Sequence, residues 1–247
     1  MSGIPDYRDE SGAWKRRRPM LIAEFLRSAA SRRRYWSRSF VGWPLVSDAR
    51  PNLAHESLAR LEQCLEITSL VTQNVDGLHQ RAGSRRVLDL HGRLDQVQCM
   101  ACRQSLDRRT FQTQLADLNP HCTRADAHFA PDGDADLEPT STDDFVVPDC
   151  PACGGILKPA VVFFGEGVPR DRVEAAFEAL EKSDAALIVG SSLVVWSGFR
   201  FARRAVERKI PILIINRGQT RADSHATVKV SGECGTALRQ VLDRLCL

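Results

Sequence analysis

Four cysteines in two close pairs, a run of side-chain amides and carboxylates, and a histidine are the residues of this chain with chemistry to offer. The pairs are Cys99-Met100-Ala101-Cys102 and Cys150-Pro151-Ala152-Cys153. Two sulfurs on one tight turn, met by two on another, complete a tetrahedron around zinc. An all-sulfur set leaves no position for water, so the ion is expected to be structural and not catalytic. Just upstream, Gln73, Asn74, Val75 and Asp76 crowd next to Gly77 and His79, and His91 precedes Gly92. Asn and Asp are common turn formers, so this stretch reads equally well as a turn or as a ligand site. His91 taken singly is more often a structural histidine, yet its ordinary pKa suits a general base. In Gly190-Ser191-Ser192, glycine permits close approach, and hydroxyls with backbone N–H groups can hold phosphate or ribose. Asn216 offers a second ribose contact. The dinucleotide fingerprint GxGxxG is missing.

The elements that must position these groups alternate along the chain. Leu21, Ile22, Phe25 and Leu26 predict a helix over residues 19–30. The aromatic stretch from Tyr35 to Pro44 reads either as packing under a loop or as an apolar ligand wall. Asn52 is a fair N-cap for a helix whose Leu53, Leu58, Leu61 and Leu65 form a buried stripe. A strand over residues 69–72 delivers Gln73, Asn74 and Asp76 at its carboxyl end, and a strand over 87–90 leads to His91. Regular periodicity fades between Asp95 and Lys158. Strands at 161–164, 185–189, 210–215 and 227–230 then alternate with three amphipathic helices. Such βαβ rhythm with near-continuous apolar strands predicts an α/β fold, a Rossmann-like doubly wound parallel sheet. Ligands bind such sheets at the carboxyl ends of their strands. Residues 1–94 and 158–247 are assigned to this domain, and 95–157 to a small inserted zinc-binding domain.

At 247 residues and 43% hydrophobic, the chain can bury a substantial core. A formal charge of +3 does not argue for nucleic acid, and the basic runs Lys15–Arg18 and Arg32–Arg34 read as solvated faces. No apolar run reaches the ~18 residues of a membrane span, and the first 25 residues show no secretory signal pattern. Of the eight cysteines, Cys64 and Cys246 read as buried small hydrophobes, and a disulfide framework fits poorly.

In order along the chain, SGIPDYR (Ser2–Arg8), TQNVDGLH (Thr72–His79), LHG (Leu90–Gly92), the two CxxC pairs, KPAVVFFGE (Lys158–Glu166), GSSL (Gly190–Leu193) and Asn216 resemble the sirtuins, NAD-dependent protein deacylases. The resemblance spans nearly the whole chain, and RYWSRSFVGWP with GSSLVVWSGFRF resembles the class II branch. It implies a Rossmann-type domain, a zinc-ribbon domain, and a cleft between them for NAD and an acyl-lysine protein. His91 would be the catalytic base. Gln73, Asn74, Val75 and Asp76 would line the nicotinamide-ribose pocket, with Pro5, Asp6, Tyr7 and Arg8 closing over it. Gly190, Ser191 and Ser192 would hold the adenosine side, Asn216, Arg217 and Gly218 its ribose, and Cys234 would lie near the adenine. Val161, Val162 and Phe163 would clamp the substrate by backbone pairing. The products implied are deacylated lysine, nicotinamide and O-acyl-ADP-ribose. Protein ADP-ribosyl transfer and a non-catalytic zinc-stabilised binding module are the alternatives.

Two departures qualify the resemblance. The family carries a strand and a glycine-rich GAGxS loop directly before SGIPDYR, whereas Met1 stands where that segment ends; a misplaced start codon is the favoured expectation, a truncated and poorly active product the alternative. The Tyr/Arg pair of desuccinylating members is not evident, since Arg27 and Tyr35 do not sit in its pattern, so neutral acyl groups are expected. Arginine-rich, lysine-poor composition points to a bacterial cytoplasm, with the mitochondrial matrix as the alternative.

Overall fold

The computed structural model describes residues 19–122, 128–129, 135–136 and 144–245. The single helix expected over residues 19–30 is two. Helix α1 (Ile22–Arg27) stops at Ser28, whose backbone is extended; Ser28 then caps α2 (Ala29–Asp48) by accepting the Ser31 N–H at 3.1 Å. A serine cap satisfies a donor that the first helical turn leaves orphaned. The aromatic stretch from Tyr35 to Pro44 lies inside α2, not in a loop. Pro44 has no N–H for the carbonyl four residues back. That carbonyl, of Phe40, accepts instead from Gln112 Nε2 at 2.9 Å.

Helix α3 (Leu53–Cys64) starts where Asn52 predicts, its side chain accepting the N–H groups of Ala54 and His55. Its leucine stripe is only partly buried. Leu61 is 2% exposed, whereas Leu53 and Leu65, at the two ends, are 40% and 44% exposed. Cys64 is also corrected, being exposed and disulfide-bonded. Cys246 lies outside the described residues.

The parallel strands fall into two groups. Strand β1 (Leu70–Thr72) pairs with β2 (Val87–Asp89), and the short helix α4 (Leu78–Arg81) lies between them in sequence. An antiparallel sheet follows, in the order β4-β3-β7, from β3 (Gly92–Cys99), β4 (Ser105–Asp107) and β7 (Leu157–Val161). Helix α5 (Arg108–Leu118) and the pair β5 (His128–Phe129) and β6 (Ala135–Asp136) lie within this excursion. Parallel structure then resumes as α6 (Arg170–Glu181), β8 (Ala186–Val189), α7 (Trp196–Glu207), β9 (Ile212–Ile215), β10 (Val228–Val230) and α8 (Cys234–Leu245), the strands ordered β8-β9-β10. The strand expected over residues 161–164 ends at Val161 and is antiparallel to β3. Its continuation turns because Glu166 N–H bonds back to the Phe163 carbonyl at 3.0 Å. Among the described residues no helix is long and apolar enough to cross a membrane.

The largest core cluster joins α2 to the antiparallel sheet. Trp36 is fully buried, and its indole N–H donates to the Leu157 carbonyl at 3.1 Å. Phe25, Tyr35 and Phe163 meet with ring centroids 5.1–5.4 Å apart. Beside them Arg108 is 1% exposed, its guanidinium 4.8 Å from the Trp43 ring and 5.5 Å from Trp36. It donates to the Ser39 carbonyl and to Gln112 Oε1. Burial pushes its pKa down to about 10, which leaves it charged at neutral pH.

Candidate active site

The four paired cysteines converge. Their sulfurs all lie within 4.8 Å of one another, with Cys99 to Cys153 at 3.5 Å and Cys102 to Cys150 at 3.7 Å. Zinc bonds of ~2.3 Å in a tetrahedron put sulfurs roughly 3.8 Å apart, so the set fits the ion. One turn closes only on glycine. A Cβ at Gly155 would stand 2.8 Å from Cys99 Sγ and 2.9 Å from Ala101 Cβ. The thiols share their protons unevenly: backbone N–H groups, that of Cys102 foremost, push Cys99 down to about 6, while Cys102, despite the Gln104 N–H, is pushed up to about 12 by the neighbouring sulfurs.

Strand β3 runs from this cluster to His91. The imidazole Nδ1 lies 3.0 Å from the Gln73 carbonyl and Nε2 lies 2.9 Å from Ser197 Oγ. Burial lowers the His91 pKa, with Arg200 and Arg172 adding to that effect, while the Gln73 carbonyl opposes it. The ring is therefore held neutral, as a proton acceptor must be. Its backbone is held too, the His91 carbonyl accepting Val162 N–H at 2.8 Å. Gly92 makes this approach possible: its φ is +80°, and a Cβ there would lie 2.0 Å from the Ala160 carbonyl oxygen. Gly92→Ala is expected to cost more than about 4 kcal/mol, through left-handed strain and backbone overlap together. Urea unfolding checks this, and a loss below about 1 kcal/mol would show that β3 and β7 separate easily.

The cofactor candidates sit on the carboxyl ends of parallel strands. Gln73 to Asp76 follow β1, Gly190 to Ser192 follow β8, and Asn216 to Gly218 follow β9. Asp76 does part of the work of a turn former, accepting the Leu78 N–H at 2.9 Å. Gly190 takes φ +62°, and a Cβ there would meet Cys234 Sγ at 3.6 Å, while that thiol bonds to the Ile215 carbonyl. Cys234 thus touches the start of the β8 loop and the last residue of β9, and burial raises its pKa. Asn216 Nδ2 donates to the Gly218 carbonyl at 2.9 Å. The two parallel groups meet where Ser191 Oγ donates to Gln73 Oε1 at 3.3 Å. Amides, hydroxyls and a glycine turn at strand ends suit the ribose and phosphates of a nucleotide. Pro5, Asp6, Tyr7 and Arg8 lie outside the described residues. His79 packs on His55 with ring centroids 4.7 Å apart, and burial pushes it down to about 4. It is a neutral, half-buried histidine.

The residues expected to clamp a peptide are largely engaged within the chain. Val162 N–H bonds to His91, and Phe163 N–H bonds to Glu166 Oε2 at 2.9 Å. The same carboxylate pairs with Lys158 Nζ at 3.0 Å. The Val161 and Phe163 carbonyls also accept within the chain, from Lys158 Nζ and the Glu166 N–H, each keeping a second lone pair. Ser197 is the contact that reading the sequence did not single out. It stands in the first turn of α7, and its weak signal was a serine shortly after Gly190-Ser191-Ser192.

The family model described as "Sir2 family" matches residues 1–197. The chain is 55% identical over 237 residues to the "NAD-dependent protein deacetylase" of Xanthomonas campestris pv. campestris (strain 8004), covering 96% of this chain and 81% of that protein. It is 44% identical over 245 residues to the "NAD-dependent protein deacylase Sirt4" of Drosophila melanogaster, covering 98% and 78%. Among solved structures, "Sir2-p53 peptide-NAD+" superposes with a TM-score of 0.72 at 28% identity, covering 98% of this chain and 87% of that one.

Proposed function

Because the chain belongs to the Sir2 family, we propose that it is an NAD-dependent protein lysine deacylase, producing deacylated lysine, nicotinamide and O-acyl-ADP-ribose. The observation that carries the mechanism is the hold on His91, whose Nδ1 faces a carbonyl at 3.0 Å. A carbonyl only accepts, so Nδ1 carries the hydrogen and Nε2 keeps its lone pair for a substrate hydroxyl.

Bound NAD supplies an electrophilic sugar carbon with nicotinamide as its leaving group. The chain's own residues do the rest. Gln73, Asn74 and Asp76 orient the nicotinamide-side ribose at the end of β1, and Gly190, Ser191, Ser192, Asn216 and Arg217 hold the adenosine side. His91 Nε2 accepts the proton of a ribose hydroxyl, which then takes the acyl group. The buried Phe163, at the end of the peptide-facing segment, helps exclude water that would otherwise consume the activated sugar. Cys99, Cys102, Cys150 and Cys153 would hold one structural zinc, whose role would be to order the sheet behind His91 and not to enter the reaction. A small domain over residues 95–157, class II membership, preference for neutral acyl groups and a bacterial cytoplasmic location complete this reading.

A panel of acetyl-, propionyl- and longer-chain acyl-lysine peptides tests it. The expected result is nicotinamide release that depends on both NAD and an acyl peptide, with equal amounts of free lysine peptide. ADP-ribose attached to protein, with no free lysine formed, would overturn it in favour of ADP-ribosyl transfer.

A further inference from the structure

We infer that Ser197 is a positioning residue for His91, its hydroxyl holding the imidazole by Nε2 and favouring the neutral ring. This rests on the reading of His91 as the general base. For the neutral ring the hydrogen bonds allow only one arrangement. With the His91 Nδ1 hydrogen directed at the Gln73 carbonyl, Nε2 is an acceptor, and Ser197 Oγ at 2.9 Å must donate to it. Ser197 Oγ in turn accepts from Gln73 Nε2 at 3.3 Å, and Gln73 Oε1 accepts from Ser191 Oγ at 3.3 Å. One glutamine therefore anchors the base twice, by its main chain at Nδ1 and by its side chain through Ser197 at Nε2.

Protonation of His91 would break this arrangement. Nε2 would become a donor, Ser197 would have to accept from both His91 and Gln73, and the hydroxyl hydrogen would lose its partner. A hydrogen bond to the neutral form of a base disfavours the charged form. Burial acts in the same direction, as do Arg200 from α7 and Arg172 from α6, and the Gln73 carbonyl acts against them.

The start of α7 is fitted to this task by a second residue. A Cβ on Gly198 would fall 2.6 Å from Gln73 Oε1, so the helix backbone packs directly on the glutamine that orients the serine. Ser197 itself is 7% exposed, which keeps bulk water from replacing its hydroxyl. A substrate hydroxyl reaches Nε2 by taking over the bond that Ser197 makes.

The test is an NMR titration of 15N-labelled histidine in the zinc-loaded full chain, comparing wild type, Ser197→Ala and Ser197→Thr. Ser197→Ala is expected to raise the His91 pKa by about half a unit or more, and Ser197→Thr, which keeps the hydroxyl, to stay close to wild type. A His91 pKa that is unchanged or lowered in Ser197→Ala would overturn the proposal. The acidic limb of kcat/KM follows from the same sign. A base must be neutral to act, so raising its pKa moves that limb of the Ser197→Ala profile to higher pH by the same amount. If the ring titration shifts as expected but the wild-type chain releases no nicotinamide with any acyl peptide, the deacylase reading fails and the positioning role of Ser197 stands.

Discussion

Alanine in place of His91 is expected to lower formation of deacylated peptide by about 100- to 10,000-fold, the usual contribution of a positioned general base. The loss should be uneven across the reaction. Nicotinamide departs before the ribose hydroxyl is deprotonated, so exchange of labelled nicotinamide into NAD should suffer less than turnover to free lysine. The variant should fold normally, because the His91 backbone carbonyl, which secures Val162, is unaffected. Steady-state turnover and nicotinamide exchange, measured on one preparation, check this. Equal losses in both would move His91 to the first step, and retention of full turnover would remove it from the mechanism.

Removing zinc is expected to have the second large effect, and to act on the fold before the chemistry. Structural zinc contributes on the order of 10 kcal/mol to the folding of small metal-bound units. Here Cys99 and Cys150 belong to the same buried cluster as Trp36, Val97 and Leu157, so the loss should spread into α2. We expect one zinc per chain. Chelation or Cys150→Ser should lower Tm by at least about 10 °C, given roughly 2–4 °C per kcal/mol at this chain length. Activity should fall with it, because β3 begins beside His91 and ends at Cys99. Reconstitution with cadmium distinguishes the roles. A structural ion restores both stability and turnover when replaced by another thiolate-loving metal, whereas an ion that activates water would not. Loss of zinc with an unchanged Tm would refute the structural assignment.

Some features were legible because their physics is local. Two cysteines on one turn announce themselves by spacing, and Asn52 bonds to the N–H groups only two and three residues ahead. The parallel strands from Ala186 onward declared themselves by short apolar runs between amphipathic helices. The misreadings came from non-local compensation. The stretch from Tyr35 to Pro44 reads as packing under a loop, but it lies in α2, where the Phe40 carbonyl that Pro44 leaves unpaired is satisfied by Gln112, on a different helix. Val161 to Phe164 reads as one buried strand, yet the Glu166 side chain and backbone both bend back onto Phe163. Ser197 lies far from His91 in sequence, and its place shortly after Gly190-Ser191-Ser192 does not say that their side chains meet. Cys64 sits in an apolar helical pattern, but the pattern did not reveal that its face of α3 is exposed.

Arg108 has a consequence for how the sequence can drift. Its charge is enclosed by the rings of Trp36, Trp43 and Phe111, and its donors reach oxygens of Ser39 and Gln112. Lysine keeps the charge but lacks the flat surface that stacks on rings and the fork that serves separate acceptors. Methionine fills the space and leaves those acceptors without donors. Neighbouring positions are tied to the same residue, since Gln112 serves both Arg108 and the carbonyl freed by Pro44. These residues of α2 and α5 are therefore constrained to change together or not at all, although none of them touches the reacting groups.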